Sequence, residues 1–113
     1  MDQLEIEQSP SQVADVTIFA LKGPFVLATM FQFQSTLRDP AVKGAIIDMS
    51  GVPYMDSAGL GVLLGQWSHA QRIAEKFALA GLSERVMTIF RITHTDSVLP
   101  IYPTVADAEK ALA

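Results

Sequence analysis

The chain has 113 residues, half of them hydrophobic, with a formal net charge of −4 and no cysteine. That length suits one domain over residues 1–113 with a core of its own. The charge balance, with no Lys/Arg cluster, argues against nucleic acid or an anionic membrane surface as the main partner. Without cysteine there is no disulfide framework, and a zinc site would need His69 and His94 plus carboxylates, so no metal is expected.

The N-terminal run MDQLEIEQSP is acidic and polar, unlike a signal peptide. No apolar run approaches the length that spans a bilayer, so direct membrane insertion is not expected, and the absence of cysteine fits a cytoplasmic location. Residues 3–7 alternate, with Leu4 and Ile6 opposite Glu5 and Glu7, which predicts a strand wet on one face. Ser9-Pro10-Ser11 is turn chemistry. Val13 to Leu21 predicts a second strand, apolar on both faces and therefore central, and the pair reads as a hairpin. Gly23-Pro24 breaks it.

Val26, Met30, Phe33 and Leu37 then recur at helical spacing, flanked by Leu27 and Phe31. The Phe/Met stripe at 30–33 is expected in the core. Asp39-Pro40 ends that helix, because the residue before proline avoids helical angles. Val42 to Met49 predicts an interior strand. After Asp48-Met49-Ser50-Gly51-Val52-Pro53 the chain reaches Asp56-Ser57, both favoured helix N-caps, so Ser57 is expected near the positive end of a helix dipole.

The helix runs to about Ala74. At 100° per residue, Leu60, Leu63, Leu64, Trp67, Ala70 and Ala74 fall in one arc of about 120°, the expected core face. Ser57, Gly61, Gly65, Ser68 and Arg72 fall in an adjoining arc of about 80°. Small residues there let another surface approach closely, although Gly61 and Gly65 could equally serve packing of helix on sheet. Val62, Gln66, His69 and Ile73 form a third, mixed strip.

Lys76 to Leu82 predicts a fourth strand, and Ser83 caps a helix that carries Val86, Ile89 and Phe90 and ends at Thr93-His94-Thr95-Asp96. Leu99 to Tyr102 is a short last strand, placed at an edge by Pro100 and Pro103. Thr104 with Asp107 is a capping-box variant that starts a final helix. The fold class is therefore α/β: a small mixed, mainly parallel sheet of about five strands, with about four helices packed on it.

Two catalytic readings fail on spacing. Gly59-Leu60-Gly61 lacks the third glycine of a dinucleotide fingerprint, since Leu64 stands there, and no phosphate-binding loop with Gly-Lys-Ser/Thr exists, so no cofactor is expected. A serine hydrolase built on Ser57 is a remote alternative: Gly59 fits a nucleophile elbow, but Met55 stands where glycine is needed. The sober reading of Asp56-Ser57 is a helix cap, and that of Asp48 a strand-end carboxylate accepting backbone N–H groups. Catalytic residues are not expected.

The stretch from Asp48 to Gly65, DMSGVPYMDSAGLGVLLG, resembles the signature of the STAS domain family, and within it the bacterial anti-sigma factor antagonists. The likeness rests on Asp48 and Ser50, on Val52 and Met55, and on Asp56-Ser57 followed by Gly59-Leu60-Gly61. FALAGLSERVMTIFRIT and VLPIYPTVADAEKAL extend it to most of the chain. The resemblance implies a non-enzymatic protein that binds an anti-sigma factor. That partner is a serine kinase which binds the ATP itself and switches the antagonist off by phosphorylating Ser57, and a serine phosphatase would reverse the step. Together with the helix face headed by Ser57, it makes Asp48, Asp56, Ser57, Ala58, Gly59, Gly61, Gly65, Ser68 and Arg72 the expected partner-binding residues. A constitutive STAS subunit of a transporter or signalling complex, never phosphorylated, is the alternative. Two positions depart from the family pattern. Pro24-Phe25-Val26 follows Gly23 where many antagonists carry an acidic residue, and His94 stands where glycine is usual.

Overall fold

A computed structural model describes residues 3–113; Met1 and Asp2 of the acidic N-terminal run lie outside the described residues. Strands β1 (Glu5–Pro10), β2 (Val16–Lys22), β3 (Gly44–Gly51), β4 (Phe77–Ala80) and β5 (Ile101–Tyr102) form one sheet in the order β1-β2-β3-β4-β5. The β1–β2 pair is antiparallel and the other three pairings are parallel. Helices α1 (Met30–Leu37), α2 (Ser57–Arg72), α3 (Glu84–Ile92) and α4 (Val105–Leu112) join them, with a short 3-10 turn at Thr95–Ser97. The expected class and element order both stand.

β3 is apolar because both its faces are covered. Ile47 and Met49 join Phe33, Leu60, Leu63, Val86 and Phe90 in the main core, which places α1, α2 and α3 on one side of the sheet. Ile46 faces the other way, with Val13, Val16, Ala78, Ala80 and Ala108 beneath α4. Glu109 fastens α4 to the β1–β2 turn by accepting from Ser11 Oγ at 2.7 Å and Gln12 N at 2.8 Å. Those two donors hold its carboxyl below the ordinary carboxylate range.

Several boundaries differ from the pattern, each for a tertiary reason. β1 continues through Ser9 to Pro10 instead of turning there; an edge strand has one unpaired side, and proline is tolerated on it. The helix expected from Val26 begins at Met30, because Thr29 Oγ1 accepts from Val26 N and donates to Pro24 O, closing a turn first. Phe33 is fully buried as expected, but Phe31 is 63% exposed and so lies outside the core. α2 stops at Arg72, and Ala74, expected on its core face, is exposed with a φ of +57°. β4 and β5 are shorter than expected, spanning Phe77–Ala80 and Ile101–Tyr102.

The end of α3 explains one departure from the family pattern. His94 has φ +60° and ψ +20°, left-handed angles that favour glycine. A Cβ is strained there, and the His94 side chain is exposed. We expect His94→Gly to stabilise the domain by about 0.5–1 kcal/mol despite the freedom glycine adds to the unfolded chain, read as a raised midpoint in urea with an unchanged slope.

Candidate functional site

The site lies where β3 ends and α2 begins. Asp56 is the N-cap of α2 and Ser57 its first residue. Asp56 Oδ1 accepts from Gly59 N at 3.0 Å, closing the first turn, and Oδ2 accepts from Leu27 N at 3.1 Å. Both carboxylate oxygens are therefore committed, one to the helix and one to the loop before α1.

That loop is stitched along its length to the segment leading into α2. Gly23 N donates to Gly51 O at 3.0 Å and Phe25 N to Tyr54 O at 3.1 Å, and Phe25 bridges Met55 in parallel. Arg85, from the start of α3, places its guanidinium 5.3 Å from the centre of the Tyr54 ring. Residues 23–27 are thus half of the site's frame, although their sequence reads only as a strand break followed by a helix. The Phe25-Val26 pair next to Gly-Pro was the available signal: an apolar loop residue must find a partner, and Phe25 is fully buried.

Ser57 is exposed, and no hydrogen bond holds its Oγ among the described residues. At the first two positions of a helix the N–H groups of Ser57 and Ala58 have no intrahelical acceptor, so the hydroxyl sits beside free donors and the positive end of the dipole. Gly61, Gly65, Ser68 and Arg72 are likewise exposed along α2. A Cβ built on Gly61 or Gly65 meets no atom within 4 Å. These glycines therefore do not serve packing of helix on sheet, and their face is open.

Gly59 differs. It is buried, and a Cβ there would lie 2.4 Å from Phe25 O and 2.8 Å from Met55 Cγ. It lets the two loops close and presents no surface of its own. Asp48 is half-buried at the end of β3; its Oδ1 accepts from Ser50 N at 3.1 Å and lies against Gly81. Ala58 is half-buried beside Ser57. Val62, assigned by periodicity to the mixed strip, is buried instead. α1 packs along that side of α2, and the ends of the two helices share a cleft lined by Leu37, Gln66 and His69.

Two cavities, of about 440 and 420 Å³, lie at the opposite end of the sheet, around Lys43, Gly44 and Lys76. His69 follows Ser57 by twelve residues on one helix, roughly 18 Å at 1.5 Å per residue, too far to act as its base. Among the described residues, no group of three His, Asp or Glu side chains converges to hold a metal ion, and no helix is long and apolar enough to cross a membrane.

The sequence pattern that defines the STAS domain matches residues 5–108. The chain belongs to the STAS domain family. This STAS domain is 38% identical over 101 residues to the anti-sigma-B factor antagonist of Listeria monocytogenes, an alignment covering 87% of this chain and 86% of the relative. Its fold is that of the anti-sigma factor antagonist from Mycobacterium paratuberculosis, with a TM-score of 0.82 at 20% identity over 96% of this chain and 93% of that one. It also matches part of the murine Solute Carrier 26 family member A9 anion transporter, with a TM-score of 0.70 at 23% identity over 89% of this chain and 18% of that one.

Proposed function

We propose that this STAS domain is an anti-sigma factor antagonist. It binds an anti-sigma serine kinase in the cytoplasm and is released when that kinase phosphorylates Ser57. Residues 1–113 act as one domain, and the domain is a binding partner rather than a catalyst. The observation that carries the reading is the Ser57 hydroxyl, exposed and unbonded among the described residues at the first position of α2, at the head of a face where a Cβ added to Gly61 or Gly65 would meet no atom within 4 Å. The 38% identity to an anti-sigma-B factor antagonist over most of both chains supports the class of partner.

In this reading Ser57, Ala58, Gly61, Gly65, Ser68 and Arg72 form the contact surface. Asp48, Asp56 and Gly59 hold its shape. The kinase binds the ATP, and a serine phosphatase resets the switch. A phosphate adds about −1.5 to −2 charge at neutral pH. The free N–H groups and dipole of α2 offset roughly 0.3–1 kcal/mol of its cost, while Asp56 opposes it. No internal hydrogen bond of Ser57 is lost, so the fold persists and the surface changes. A partner that sets an acidic or apolar group against Ser57 is then expelled by the added charge.

The test is incubation with each of the host's anti-sigma kinases and ATP, read by intact mass. One phosphate on the wild type and none on Ser57→Ala is the expected result. Absence of phosphate with every kinase, together with absence of a complex, would leave a constitutive module such as a transporter's STAS subunit.

A further inference from the structure

Residues 23–37 and 57–71 contain no Asp, Glu, Lys or Arg, in a chain that is 18% charged. These two runs supply the loop before α1, α1 itself and nearly all of α2, and the two helices pack together. A helix facing water ordinarily carries charge on its outer side. The exposed residues of α1 are instead Phe31, Gln32 and Ser35, and those of α2 over this run include Ser57, Gly61, Gly65 and Ser68.

Within this uncharged surface stand two large apolar side chains, Leu27 at 58% and Phe31 at 63% exposure. Leu27 lies in the turn that Met30 N closes by donating to Val26 O at 2.9 Å, and Phe31 is the second residue of α1, four positions on. Neither completes the core: Phe25 and Phe33 do, their rings edge to face with centres 5.0 Å apart. Leu27 also adjoins the phosphorylation candidate, because its N–H is hydrogen-bonded to Asp56, the residue before Ser57. Depletion of charge around exposed aromatic and aliphatic anchors is the composition of an interface centre.

We infer that Leu27 and Phe31 are the apolar anchor by which this chain holds its anti-sigma partner, and that the partner offers an uncharged, apolar pocket beside the place where Ser57 docks. The inference rests on the antagonist reading above. Continuity assigns the occupant, since a surface that covers Leu27 also meets Asp56 and senses charge on Ser57. A membrane is the poorer fit, because neither run supplies the Lys or Arg that an anionic lipid surface recruits.

The experiment measures binding of the host's purified anti-sigma kinases to the wild-type chain, to Leu27→Ser, to Phe31→Ser and to the double variant. Each single change is expected to weaken the complex roughly tenfold or more, and the double change at least about a hundredfold. The wild-type affinity should move less than about threefold between roughly 50 and 500 mM NaCl, because the anchor is uncharged and Arg72 is the one charged side chain of the contact surface. Thermal midpoints should not fall, since both side chains are exposed. A kinase that binds wild type and double variant alike overturns the anchor and leaves the antagonist reading standing; no complex with any kinase overturns both. A wild-type dimer in sedimentation that Phe31→Ser splits, with kinase affinity unchanged, gives the patch to a second copy and also overturns the assignment.

Discussion

Ser57→Asp should bind the anti-sigma kinase a hundred- to a thousandfold more weakly than the wild type, a loss of about 3–4 kcal/mol, while remaining as stable. The two halves of that expectation have different causes. Stability persists because the Ser57 side chain is exposed and gives up no internal hydrogen bond. A carboxylate at the first position of α2 also faces the free N–H groups of the first turn, which favour it by about 0.3–1 kcal/mol. Affinity falls because that carboxylate enters a contact built around small uncharged side chains, with Asp56 beside it. Burying an unpaired charge there costs several kcal/mol, and like charges nearby add to it. Calorimetric titration against the kinase, with a thermal melt of each chain, separates the two. Equal affinity for wild type and variant would remove Ser57 from the contact.

The second large effect concerns two glycines one position apart from being neighbours on α2. Gly59→Ala should destabilise the domain by about 2 kcal/mol or more, whereas Gly61→Ala should stabilise it by about 0.5–1 kcal/mol. In a helix, alanine is ordinarily the better residue because glycine loses more backbone freedom on folding. At Gly61 that is the whole account, since an added Cβ meets no atom within 4 Å. At Gly59 the same Cβ would fall 2.4 Å from the carbonyl oxygen of Phe25 and 2.9 Å from Phe25 Cδ2. The oxygen belongs to backbone held by the Phe25 N to Tyr54 O hydrogen bond at 3.1 Å, so it cannot yield without unpicking the joint between the two loops. Urea unfolding of both variants checks the signs. A Gly59→Ala chain as stable as wild type would mean the 23–27 loop is not fixed against α2. Because Gly61 lies on the open face, Gly61→Ala also asks whether a partner uses that gap: a more stable domain that binds less well would be the signature.

Much of the architecture could be read locally. Asp56, Ser83 and Thr104 were expected at helix starts, and each side chain accepts from an N–H three residues on. Such a bond is decided within one turn of chain, so no distant residue is needed to foresee it. The edge position of the last strand followed from its prolines in the same way. The exposed face from Ser57 to Arg72 followed from the 3.6-residue period, because the opposite side of α2 was plainly apolar.

What the period could not reveal was the width of the buried side. Val62 sits about 140° from Ser57 around the helix, and it is buried because α1 lies along that flank, not because of any neighbour in sequence. Phe31 and Leu27 belong to an apolar pattern that looks like core, yet Phe25 and Phe33 are fully buried and these two are exposed. Gly59 and Gly61 are indistinguishable as letters; a carbonyl from a loop over thirty residues earlier makes one indispensable and leaves the other free.

The sequence by itself determined the order of strands and helices, their caps, the family, and which hydroxyl heads the second helix. All of these rest on interactions within a few residues or on a contiguous motif. Only the tertiary structure decided which apolar side chains are covered, which glycine is crowded, and that Asp56 binds two loops together. Those outcomes depend on which remote segment arrives alongside, and on the space that segment leaves.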